Sequence, residues 1–256
     1  MEKKKLVIAA AVCNIQQTLL PVFDNINKLS ELFELQRCIL IESNSTDNSI
    51  NLLKEKKSYL KCPLDVYIIN NKSNSPYDRV ERIAKARNMY LDMVEENYGD
   101  CDYLLVLDFN ETNVEPYNIE NIKSNFIINN EWDMICANQD KNYYDLYALR
   151  HKVWMPFNCW QIINDRPSFM SMNEAKNIYI RSRFINIPND HEPIEVESAF
   201  GGTAFIKIQS IKGARHSHLD ENNKPDCEWV SFCKSLDKVL INPKFINMKK
   251  LSRHVL

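Results

Sequence analysis

"DYLLVLDFNET", residues 102–112, runs without a polar break from Tyr103 to Leu107 and then stops at Asp108. Successive side chains on a strand point to opposite faces, so a continuously apolar strand must be covered on both. Sheets covered on both faces are mostly parallel, with helices as crossovers. The neighbouring sequence extends this reading. Short apolar runs at 6–13, 37–42 and 64–69 alternate with amphipathic stretches at about 16–34, 46–58 and 79–98, the order of strand and crossover helix that builds a parallel sheet. Beyond about residue 130 the alternation loosens. Strand candidates at 133–137, 143–149, 202–207 and 239–242 are joined by aromatic-rich connections, with a helix near 227–237. The expectation is one α/β domain: a Rossmann-like mixed sheet flanked by helices, to which residues 1–130 and 131–256 each contribute a half.

Composition narrows the function classes. The chain has 256 residues, with 32 basic against 34 acidic ones, so no overall field favours a nucleic-acid or membrane partner, and any anion must be held locally. Its eight cysteines form no CxxC pair and mostly sit in apolar stretches, which suits buried free thiols in a reducing compartment. The opening "MEKKKLVIAAAVCN" imitates a signal peptide, but the apolar run ends at Cys13 and an amphipathic segment follows. It reads as a first buried strand. No run approaches the roughly twenty apolar residues of a membrane span, and the basic end "MKKLSRHVL" reads as a solvated tail. A cytoplasmic protein without membrane association is expected.

Ligands of open α/β sheets bind beyond the carboxyl ends of the strands, and three clusters fall there. In "LIESNSTDNS", residues 40–49, Glu42 ends the second strand, where an acid suits a ribose hydroxyl or a base N–H. Ser45 or Asp47 can cap the helix that follows. In the helix at 79–98, Val80, Ile83, Ala84, Leu91, Val94 and Tyr98 define one buried stripe, and Arg87 falls in its middle. A guanidinium on the core side requires an anionic partner, either a protein carboxylate or a ligand phosphate. Arg79 and Arg82 lie off the stripe, on a solvated face. After the central strand, Asp108, Asn110 and Glu111 offer oxygen ligands to a hard divalent cation that also bridges phosphates. Aromatics are dense from Trp132 to Trp160; most read as core, with Trp160 the candidate to stack on a sugar acceptor.

Taken with "NYYDLYALRHKVW" (142–154), "ESAFGGTAFIK" (197–207) and "DCEWVSF" (226–232), these clusters resemble nucleotide-sugar glycosyltransferases of the GT-A fold. The resemblance is to the branch that includes microbial and viral sugar transferases and is related to the fungal capsule-associated mannosyltransferases, and it spans roughly residues 6–242. It implies a donor-binding first half and an acceptor-binding second half. It further implies a UDP- or GDP-sugar donor, a glycan or glycoconjugate acceptor, and Mn2+ or Mg2+. Glu42 and Ser43 would meet the nucleoside, with Asp47 holding the loop. Arg87 and Asn88 would face the diphosphate or donor sugar, and Asp108 and Asn110 would occupy the D-x-D positions. Tyr144 and Asp145 would lie by the sugar or acceptor, while Gly201 and Gly202 would let backbone approach it closely.

Two departures from the branch stand out. Asn110 replaces the second acid of D-x-D, which weakens a metal site. Trp229 stands where the branch often has a His, leaving His218 or His216 as substitute imidazole ligands. For an inverting transfer the candidate bases are, in order, Asp145, Glu228 and Glu197; a retaining transfer relies instead on the leaving diphosphate.

Overall fold

A computed structural model describes residues 3–70, 78–128 and 131–248; the basic end discussed above lies outside them from residue 249 onward. The strands are β1 (Lys4–Val12), β2 (Phe33–Ser43), β3 (Leu64–Ile69), β4 (Tyr103–Leu107), β5 (Met134–Gln139), β6 (Ile194–Val196), β7 (Thr203–Lys207) and β8 (Val239–Met248). The helices are α1 (Leu19–Lys28), α2 (Ser49–Glu55), α3 (Asp78–Asn97), α4 (Ile119–Ile127), α5 (Cys159–Asn164), α6 (Met172–Tyr179) and α7 (Glu228–Cys233). All eight strands form one sheet in the order β3-β2-β1-β4-β7-β5-β8-β6. The first four are parallel, whereas β7 runs antiparallel between β4 and β5.

Strand parity sets the two core layers. On β1, Leu6, Ile8, Ala10 and Val12 face the α1 side with Leu19, Val22, Phe23 and Ile26. Val7 and Ala9 face the α3 side with Ala86, Tyr90, Leu91 and Val94. Full burial of each large apolar side chain contributes about 1.5–3 kcal/mol, and both layers collect it across the whole sheet. The central strand is as expected: Leu104 and Val106 pack on one face, Leu105 and Leu107 on the other.

Three expectations need correction. Residues 143–149 form a turn rather than a strand, closed by Leu146 N–H to Tyr144 O at 2.9 Å and Leu149 N–H to Asp145 O at 3.2 Å. Its hydrophobic pattern reflects Tyr143, Leu146 and Leu149 packing inward from that turn. The first helix is shorter than 16–34, because the chain tightens into a 3-10 turn at Leu29–Glu31 and enters β2 at Phe33. The last strand is longer, reaching Met248 with an irregular register beside β5.

Candidate active site

The carboxyl end of β4 is pinned before its side chains are considered. Asp108 N–H donates to Gly202 O at 2.9 Å, and the Asn113 amide donates to both Asp108 O (2.8 Å) and Gly202 O (2.9 Å). Gly202 has φ +81°, and a Cβ there would lie 2.7 Å from Thr112 Oγ1 and 2.9 Å from Tyr144 Oη. Gly201 has φ +67°, and its Cβ would lie 2.4 Å from Ala137 O. Both positions therefore require glycine, for backbone conformation and for space. This close packing draws the 139–145 turn onto the end of β4.

Arg87 occupies the centre of the site. It is 4% exposed, as its place in the α3 stripe predicted, and its partners are protein groups. Nε donates to Glu228 Oε1 at 3.2 Å, NH2 to Asp108 Oδ1 at 3.4 Å and NH1 to Tyr90 Oη at 3.1 Å. The guanidinium also lies over the rings of Trp229 (4.5 Å) and Phe200 (4.8 Å), which stack on each other at 4.3 Å. Burial alone would lower its pKa, but Tyr90, Glu228 and Asp108 more than offset that, so the group stays charged. Tyr90 sits one helical turn on from Arg87, a spacing from which sequence could have supplied it. Phe200 and Trp229 had no such signal.

Three carboxylates surround this cation. Asp108 is raised by burial, opposed by Arg87 and reinforced by Glu228. Among the described residues no cation pairs with Asp145. Its Oδ2 accepts the Gly201 N–H at 3.0 Å, and burial, with Asp108 and Glu228 nearby, pushes its pKa up to about 6. Glu228 is held by Arg87 on one oxygen and lies near the Cys227 thiol on the other. Arg79, expected on a solvated face, is exposed as anticipated, yet its charge reaches Asp108.

A buried scaffold ties Asp145 to Glu228. Arg150 donates to Tyr147 O, Leu149 O and the Asp226 carboxylate, and Asp226 Oδ1 also accepts from Asn158 and Cys227 N–H. The sequence reading did not identify this network. Arg150 follows Asp145 by five residues and Asp226 precedes Glu228 by two, so the pair joins the two chain segments that carry these candidate acids.

Other expected site residues are placed differently. Glu42 is 0% exposed; Oε1 accepts the Ser45 N–H at 2.7 Å and, among the described residues, Oε2 has no hydrogen-bond partner. It lies beneath its loop rather than in the crevice, because it shares the face of Cys38 and Leu40 that packs under the α1 side. Ser43 ends β2, buried beside Ile69. Asp47 accepts from Gln16 N–H at 3.2 Å and Ser49 N–H at 3.0 Å, lacing the loops after β1 and β2 and satisfying the first N–H of α2, whose N-cap residue Asn48 makes no side-chain cap bond. Asn88 is engaged at both ends by the backbone of His216, at 2.9 and 2.8 Å, and so holds that segment rather than facing a ligand. Glu197 is exposed and joins none of these contacts.

The donor set for a cation is correspondingly small. Asn110 Oδ1 accepts from Thr112 N–H (3.0 Å) and Thr112 Oγ1 (2.6 Å), capping its own turn, while its amide nitrogen faces Asp108. His216 is buried: its ring stacks on Phe232 at 4.6 Å, and Nδ1 donates to Glu228 O at 3.1 Å. Burial, followed by Arg87, holds its pKa well below the usual imidazole value. Among the described residues no three His, Cys, Asp or Glu side chains are grouped to hold a metal ion, so His218 does not complete a cage. An ion of the magnesium or manganese type, however, needs only one or two carboxylates when phosphate oxygens and water complete its shell. Asp108, with its side chain about a third exposed, fits that limited role.

Comparison with known proteins followed the same outline. Residues 5–236 match the family described as Cryptococcal mannosyltransferase 1. No curated protein matches the chain. Among solved structures, S. aureus TarS 1-349 aligns with 96% of this chain and 60% of its own, at 12% identity and a TM-score of 0.51. The same protein in complex with UDP aligns with 97% and 61%, at 13% identity and 0.51. The chain thus spans about 60% of the length of these neighbours, and the likeness at this identity is one of fold, the GT-A glycosyltransferase architecture.

Proposed function

The chain belongs to the Cryptococcal mannosyltransferase 1 family, and from that membership and the geometry above we propose that it transfers a sugar from a nucleotide diphosphate donor to a hydroxyl acceptor. The observation that carries this reading is Asp145. It is a carboxylate with a pKa near 6 that pairs with no cation among the described residues, beside Asp108 at the carboxyl end of the central strand. A base poised there is ionised at neutral pH and still basic enough to accept the acceptor's proton as the hydroxyl attacks. Glu228 is the weaker candidate because Arg87 holds it. Arg79, exposed and electrostatically linked to Asp108, is suited to meet the donor phosphates directly, whereas Arg87 fixes the two acids and keeps positive charge in the floor. A divalent cation would be held by Asp108 with donor phosphate oxygens and would neutralise charge on the leaving diphosphate. In this reading residues 1–130 hold the donor, and the 142–160 and 197–229 segments bring the acceptor.

A second reading, nucleotide or carbohydrate binding without transfer, is favoured by Asn110 and Trp229, which leave the cation with fewer protein ligands. One assay separates the two. Release of free nucleotide is measured from UDP-, GDP- and dTDP-sugars with manganese, magnesium or EDTA, for the wild type, Asp108→Ala and Asp145→Asn. Turnover of one donor that both substitutions abolish supports transfer. Donor binding without turnover, across a panel of glycan acceptors, supports the binding module; absence of any nucleotide binding would defeat transfer, and absence of glycan binding as well would defeat both.

A further inference from the structure

The hairpin of α5 and α6 carries a surface that the pocket does not use. Among the described residues eleven large hydrophobic side chains are exposed, and six of them, Val153, Trp160, Phe169, Met172, Ile178 and Ile185, fall within 153–185. Phe169, at the turn between the two helices, is 87% exposed. The turn beneath it is well ordered by hydrogen bonds. Met170 N–H donates to Pro167 O at 2.9 Å, Arg166 Nε donates to Met170 O at 3.1 Å, and Ser171 and Glu174 form a reciprocal capping box at the start of α6. A backbone fixed this firmly holds the Phe169 ring out in water, and a lone apolar ring gains nothing by being held there.

Charge indicates what would cover it. From 151 to 185, Lys152, Arg166, Lys176, Arg181 and Arg183 stand against Asp165 and Glu174, giving +3. The whole chain carries −2, so the remainder carries −5. The Lys176 ammonium lies 5.6 Å over the Trp160 ring, placing a cation beside an amphipathic aromatic as interfacial anchors do. A second copy of this chain would oppose like charge to like charge across such a face. The geometry points to an anionic lipid surface as the occupant: the α5/α6 turn inserts Phe169 and Met172 among acyl chains while Lys176 and its basic neighbours meet the headgroups. This revises the expectation that no membrane is engaged. It requires no spanning helix, and among the described residues none is long and apolar enough to span.

The test is co-sedimentation of the full chain with vesicles of phosphatidylcholine alone or mixed with phosphatidylglycerol, for the wild type, Phe169→Ser/Met172→Ser and Lys176→Glu. The wild type is expected to sediment with the mixed vesicles. The double variant should lose about tenfold or more in affinity, the scale set by two buried apolar side chains, and Lys176→Glu should bind less with greater loss at low salt. Unchanged melting temperatures keep the comparison valid, since all three positions lie at the surface. Failure of the wild type to sediment, or equal binding by the double variant, as attraction through the basic end alone would give, would overturn the proposal.

Discussion

The Arg87 guanidinium carbon lies 4.5 Å from the centre of the Trp229 ring. An imidazole at that position could offer a lone pair to a metal, whereas the indole offers a π face to a cation. The site carries its positive charge on a side chain, and Glu228 and Asp108 are arranged around that side chain.

Removing this cation should be costly. Arg87→Met leaves Glu228 buried and Asp108 half-buried without it, and loss of one partner from a buried ion pair such as Arg87–Glu228 typically costs about 3–5 kcal/mol. Adding Glu228→Gln to Arg87→Met should recover part of the loss, because one uncompensated charge is removed. Urea unfolding of the two single variants and the double variant reads the coupling directly. Strict additivity would mean that the contact contributes nothing.

On the proposed function, Asp145 would give the reaction its pH dependence. With a pKa near 6, nucleotide release should rise as pH climbs through 6 and level off above it, and Asp145→Asn should be inactive throughout. Stability should respond in the opposite sense. The folded state holds this proton more tightly than the unfolded chain, whose ordinary value is 3.8, so ionisation between about pH 4 and 6 costs the wild type stability. Asp145→Asn should lack that decline. Melting temperatures of the two proteins across this window would therefore diverge as pH rises; parallel curves would rule out the raised pKa.

Gly202→Ala places a methyl 2.7 Å from Thr112 Oγ1 on a backbone with φ +81°. Overpacking and backbone strain together should destabilise the protein by about 2–4 kcal/mol. Adding Thr112→Ala removes the nearest contact and should restore some but not all of the loss, since the Tyr144 Oη contact and the positive φ persist. Differential scanning calorimetry of the single and double variants separates the Thr112 contact from the rest.

Periodicity made the first half legible. The apolar runs of β1, β2, β3 and β4 and the α3 stripe follow from side-chain spacing alone, and that spacing placed Arg87 inside and Asp108 at a strand end. The fate of Glu42 was obscured by its position at a strand terminus. Parity with Leu40 assigns its face, yet only the loop folded over that face determines whether the face is open. The protein partners of Asn110 and Asn88 were hidden for a related reason: Thr112 and the His216 backbone engage their amides, the latter a contact made across a long stretch of chain. The 143–149 segment shows the same limit: a turn that packs several side chains inward carries the same hydrophobic pattern as a strand.

The placement of β7 beside β4 bears on how this protein can be divided or recombined. Tyr103 to Leu107 pair with Lys207 to Thr203, so the last strand of the first half has its outer edge closed by residues about a hundred positions later. Cut near residue 130, the first half would expose that edge as a template for aggregation. The two halves are therefore not interchangeable modules, and variation in specificity has to arise in the loops that rise from a sheet both halves build together.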